Sequence, residues 1–165
     1  MGLDATVWCN CIETGKLHTP HPFPELLIVH ESGAPDINSD DMDKVTAHDE
    51  WQSSSPCEHD ECVLVGHYLG NIALVAGLRE SVDKLSDDVE AEFSVLWSDV
   101  IYSGTHCGDF LKVDEVKRLK AEIANLRSRD FSVLEAEEVQ YLQDFLEQMD
   151  ELIEASLSVN KPIAF

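Results

Sequence analysis

Positive charge is what this chain has least of. Eleven Lys and Arg stand against 33 Asp and Glu, a formal net charge of -22 at pH 7, far more than solubility asks of a small domain and enough to make the surface repel itself. Unassisted binding to nucleic acid or to an anionic lipid surface is excluded on this ground, because both need a positive field. No apolar run approaches the ~20 residues of a membrane span, and residues 1–11 (MGLDATVWCNC) hold Asp4 and no basic residue, so neither a membrane segment nor a secretory leader is expected. The opening MGLDAT matches the short myristoylation pattern, yet Leu3, Ala5 and Val7 read better as strand positions. Also lacking are a Gly-rich phosphate loop, a Gly-x-Ser-x-Gly elbow and a His-Glu-x-x-His pair, so the common nucleotide, hydrolase and metalloprotease readings miss their minimal residues. Cys9, Cys11, Cys57, Cys62 and Cys107 are odd in number and contain no Cys-x2-Cys turn; reduced thiols in a cytoplasmic protein are expected rather than a disulfide framework.

With 165 residues and 44% hydrophobic content, residues 1–165 suffice for one core and one domain. Leu3, Ala5, Val7, Cys9 and Cys11 alternate with Asp4, Thr6, Trp8 and Asn10, the period of a half-buried strand with both cysteines inward. Residues 18–24 (HTPHPFP) form an extended surface connection. Residues 26–29 read as a strand buried on both faces, residues 36–50 as at most a short helix capped by Ser39 or Asp40, and residues 62–69 as a third strand. Helical periodicity dominates from there on. Asn71 caps a helix with Ile72, Val75, Leu78, Val82 and Leu85 inward, and Ser86 caps a second through Ile101 with Phe93, Leu96, Trp97 and Val100 on one face. Asp114 caps a third, with Val116, Leu119, Ile123 and Leu126 inward and most of the chain's cations. A fourth, over residues 134–157, aligns Leu142, Leu146, Met149 and Ile153. Residues 162–165 are an apolar tail able to dock. The fold expected is α+β: a small N-terminal sheet against four mainly antiparallel helices of the C-terminal half.

Three constellations could carry chemistry. Residues 56–71 (PCEHDECVLVGHYLGN) gather thiols, imidazoles and acids at the join between the halves. For zinc, Cys9 and Cys11 with His18 and His21 are the first ligand set, and Cys57, His59, Cys62, His67, His106 and Cys107 offer further donors of the type zinc prefers; Cys-x-Cys and Cys-x4-Cys are not the usual knuckle spacing. A thiol nucleophile would pair Cys107 with His106 or Cys57 with His59, oriented by Asp109 or Asp60, although Glu58, Asp60 and Glu61 raise rather than lower a thiol pKa at Cys57. The third constellation is the acid itself. Residues 31–62 hold ten acids and one base, and residues 130–160 hold nine acids and none. Such a surface attracts a basic protein and speeds its association by ~10- to 10³-fold at low salt. Asp144, Glu147, Asp150, Glu151 and Glu154 on the last helix, with Glu58, Asp60 and Glu61, are the candidate contacts. The cations of residues 112–129 are expected to pair with the neighbouring acidic helix.

The opening MGLDATVWCNC, the central PCEHDE with Gly70-Asn71-Ile72-Ala73-Leu74, the loop HCGDFL at 106–111 and the ending KPIAF together resemble a small family of uncharacterised bacterial proteins. The resemblance runs the length of the chain and implies a bacterial, cytoplasmic setting without an activity. From the residues, the first expectation is an immunity-type inhibitor that covers the positive active site of a cationic toxin, for instance a nuclease, with carboxylates standing in for phosphates. The alternative is a Cys/His metal-binding protein, with zinc as cofactor, or a thiol-dependent enzyme.

Overall fold

A computed structural model describes residues 2–102, 106 and 108–165. The fold is α+β. Strand β1 (Gly2–Trp8) is central and has the alternation its sequence demands: Leu3, Ala5 and Val7 are buried while Gly2 and Asp4 are exposed. It pairs antiparallel with β4 (Val63–Asn71) on one side and, at Thr6, with β6 (Ile163–Ala164) on the other. β6 pairs in turn with β5 (Phe110–Leu111), giving the order β4-β1-β6-β5. The sheet therefore draws on both halves of the chain. The apolar tail closes it, with Ile163 fully buried.

Strands β2 (Leu27–Val29) and β3 (Pro35–Ile37) form a separate two-stranded hairpin. The expected doubly buried strand is only half-buried there, with Ile28 42% exposed, because a two-stranded ribbon has one partner and no second layer. Lys161 anchors it: the ammonium, 6% exposed as a residue, pairs with Glu13 at 2.7 Å and donates to the Gly33 carbonyl at 3.3 Å.

Helix α1 (Met42–Ser53) is capped by Asp41, whose carboxylate accepts from the Asp43 amide at 3.1 Å, rather than by Ser39 or Asp40. Asn71 caps α2 (Ile72–Lys84) as expected, accepting from Ala73 and Leu74 at 3.0 Å each. Ile72 is nevertheless 71% exposed: the first turn overhangs the sheet, and burial begins further along at Leu78. The second expected helix breaks into a short α3 (Val89–Glu92), capped by Asp88, and a π-helical turn, Leu96–Val100. Its apolar face still docks, with Phe93, Leu96, Val100 and Ile101 buried. Helix α4 (Val113–Arg127) begins ahead of Asp114; Glu115 reaches back to accept from the Lys112 amide at 2.8 Å. Helix α5 (Ala136–Val159) uses the same device through Glu138 and the Glu135 amide at 2.9 Å. α5 packs against α4, α2 and the inner face of β1 and β4, burying Leu142, Leu146, Met149 and Ile153.

One close approach fixes the turn from β4 into α2. Gly70 has φ 146°, and a Cβ there would run into the Tyr141 hydroxyl, which donates to the Leu69 carbonyl at 2.8 Å. Gly70→Ala is expected to cost about 2 kcal/mol through backbone strain and the displaced hydroxyl. A urea titration checks it. Adding Tyr141→Phe, which clears the space, should recover part of the loss.

Candidate metal centre

A second, smaller core lies at the far end of β1, built from Cys9, Cys11, Trp51, Cys57 and Cys62 with Trp8, Ile12, Leu17, Leu27 and Leu64 around it. The ladder continues one step past β1, since the Cys9 amide donates to the Cys62 carbonyl at 2.8 Å. The chain then turns tightly: Thr14 donates to the Asn10 carbonyl through amide and hydroxyl, and Lys16 returns to the Cys11 carbonyl. From the other side, Pro56 stops α1 and starts a loop with unusual backbone. Ser55, Glu61 and Cys62 have φ of 53°, 47° and 66°. Left-handed residues with side chains cost about 1 kcal/mol or more each and persist where the surroundings fix them. Here the Ser55 hydroxyl holds Asp60 at 2.5 Å and the Gln52 amide holds the Glu61 carbonyl at 3.2 Å.

These two turns bring the sulfurs of Cys9, Cys11 and Cys57 and a ring nitrogen of His59 together, all four donor atoms within 4.8 Å of one another. Cys9 Sγ lies 3.7 Å from Cys57 Sγ; His59 Nδ1 lies 3.4 Å from Cys11 Sγ and 3.8 Å from Cys57 Sγ. Zinc bonds of about 2.3 Å to sulfur and about 2.0 Å to nitrogen, at the tetrahedral angle, require S···S near 3.8 Å and S···N near 3.5 Å. The Cys9–Cys57 and Cys11–His59 edges match these values, and the Cys57–His59 edge is longer by about 0.3 Å. Amide donors also point at the sulfurs, from His59 to Cys57 at 3.4 Å and from Cys11 to Cys9, as a thiolate centre needs.

Cys9 and Cys11 are thus joined by Cys57 and His59, not by His18 and His21. His18 is exposed and meets the centre only through its amide, bonded to the Pro56 carbonyl at 2.8 Å. His21 is buried and committed elsewhere: Nδ1 accepts from the Phe23 amide and Nε2 lies 3.0 Å from His48 Nδ1. The signal for the set that the fold assembles was a Cys-x-His placed just after a helix-stopping proline. Cys62 remains a nearby fourth sulfur, in hydrogen-bond contact with Cys57.

Burial holds His21 below its ordinary pKa of 6.5. Because the folded value is depressed, the stabilisation from keeping His21 neutral is complete above pH 6.5 and is lost as pH falls from there towards the folded value. The His21 ring resonances in an NMR titration are expected to shift to those of imidazolium at a pH below the ordinary 6.5 of histidine.

Of the expected thiol–imidazole pairs, Cys57 and His59 meet, Sγ to Nδ1 at 3.8 Å, without Asp60 as the orienting group. Burial pushes the Cys11 thiol up to about 12 and raises those of Cys9 and Cys62, while Asp60 is engaged by Ser55 rather than by His59. Cys107 lies outside the described residues. His106 donates from Nε2 to the Val100 carbonyl, 2.9 Å away, and its Nδ1 sits 3.3 Å from Asp109.

Glu58, Asp60 and Glu61 are exposed on the ligand loop. On α5, Asp150 pairs with Arg127 at 2.5 Å and Glu151 with His67 at 2.8 Å, whereas Asp144 meets Gln140 and Glu147 and Glu154 have no polar partner among the described residues. Among the described residues the basic helix pairs with α5 through Arg127, while Lys117 and Arg118 pair with Asp114 and Glu115 of α4 itself. Among the described residues no helix is long and apolar enough to cross a membrane. No family model, curated protein or solved structure matches this chain.

Proposed function

We propose that this is a zinc-binding protein in which Cys9, Cys11, Cys57 and His59 hold one ion in a closed, structural centre. The observation that carries this reading is the convergence of three sulfurs and one imidazole nitrogen within 4.8 Å of one another, with Cys9–Cys57 and Cys11–His59 separations of 3.7 and 3.4 Å that match tetrahedral zinc edges. Four protein ligands leave no open position for substrate, so the ion's task is to tie the end of β1 to the loop after α1. Protein purified without chelator is expected to carry about one zinc per chain, and Cys9→Ser or Cys57→Ser to abolish it. A metal-free preparation that takes up no added zinc would sink the reading.

A second reading concerns the acids. Glu147 and Glu154 face solvent without a cation, and Glu58, Asp60 and Glu61 stand on the loop that the ion would order. These carboxylates suit recognition of a basic protein, in the manner of an immunity-type inhibitor of a cationic toxin or nuclease. Capture of such a partner at low salt, lost steeply at high salt, tests it; salt-insensitive binding to a neutral partner contradicts it.

A further inference from the structure

Resting on the zinc reading of these same residues, we propose that oxidation of Cys9 and Cys57 to a disulfide expels the ion and replaces one cross-link by another between the same two segments. The sulfurs are 3.7 Å apart, and a disulfide closes them to ~2.0 Å. Their backbones are held in place meanwhile, Cys9 by its amide bond to the Cys62 carbonyl and Cys57 by the turn to His59. Once this pair is oxidised, two of the four ligands, Cys11 and His59, remain, too few for a structural site. The fold does not lose its staple, because the disulfide closes the same 48-residue loop that the ion bridged.

The sulfurs are buried, so the oxidant must be small; hydrogen peroxide satisfies this. The Cys57 thiolate attacks the O–O bond, an S–O bond forms and hydroxide leaves. The Cys9 thiolate then attacks the Cys57 sulfur, the S–S bond forms and a second hydroxide leaves. Two thiolates have given up two electrons, the peroxide has accepted them, and two protons from solvent turn both hydroxides into water. Cys62 is the competing thiol, being in contact with Cys57.

The test uses zinc-loaded full-length protein carrying Cys107→Ser to silence the thiol remote from the centre in sequence. Metal content is measured first, hydrogen peroxide is added, released zinc is read with a chromophoric chelator, and the disulfide is located by peptide mass mapping. About one zinc released per Cys9–Cys57 disulfide is expected, with dithiothreitol plus zinc restoring the starting state, and Cys62→Ser behaving likewise. Release accompanied by a Cys57–Cys62 disulfide or by sulfinic acid, or a Cys9–Cys57 disulfide formed with zinc retained, overturns the proposal. A sample that takes up no zinc before oxidation sinks the metal reading and this one with it, whereas a loaded sample that fails the mapping sinks this one alone.

Discussion

Stripping zinc from the loaded protein with a chelator is expected to lower its unfolding free energy by about 4 kcal/mol when free zinc had stood a thousandfold above the dissociation constant. The size follows from what the centre holds together. Among the ligands, Cys9 and Cys11 close the N-terminal strand, while Cys57 and His59 belong to a loop with three left-handed residues carrying side chains. The apolar shell is small, essentially Trp51 and its neighbours, so hydrophobic burial alone offers little to offset that strain. Cys57→Ala should remove most of the same stability and become insensitive to chelator. Urea unfolding with and without chelator reads both effects. If the two curves coincide for zinc-loaded wild type, the centre does not support the fold. Losses should concentrate in residues 9–21 and 54–62, leaving the α5 core protected in amide hydrogen exchange, because that core shares no ligand with the centre.

Periodicity made the core legible. The alternation from Leu3 to Cys11 named five buried positions correctly, and the three-and-four spacing of Leu142, Leu146, Met149 and Ile153 named the buried face of α5. What it missed were features made by distant groups. The second helix is periodic, yet it breaks after Glu92 because side chains from α2 and α4 satisfy its backbone. The four-stranded sheet recruits β5 and β6, two residues each, too short to show a period. The candidate Cys/His centre was half legible: Cys9 and Cys11 were visible as a pair on one strand face, but the choice among the remaining donors was set by the loop with its left-handed turn at Glu61 and Cys62, which no local propensity announces. Charge was the least legible of all, since composition gives its amount and only the fold shows that Arg127 and His67 pair with two of the five α5 acids.

Glu122→Ala is expected to cost about 3 kcal/mol. From α4 its carboxylate accepts from the Leu96 amide at 2.8 Å, the Val95 amide at 3.1 Å and the Ser94 hydroxyl at 3.2 Å. Val95 and Leu96 are essentially fully buried, and the break at Phe93, with φ -134° and ψ 44°, leaves these amides at the start of a new helical turn. Removing the carboxylate strands buried donors, each worth about 1–3 kcal/mol of desolvation. Glu122→Gln keeps one acceptor oxygen and should lose about half as much. At the other end of the same turn, the Arg79 guanidinium donates to the Trp97 and Ile101 carbonyls at 2.8 and 2.7 Å and stacks 3.6 Å from the Trp97 ring centre. Glu122 and Arg79 thus cap opposite ends of one irregular segment. Their Ala substitutions should combine non-additively, the double variant losing less than the sum in urea unfolding, because either one alone frays the turn that the other holds.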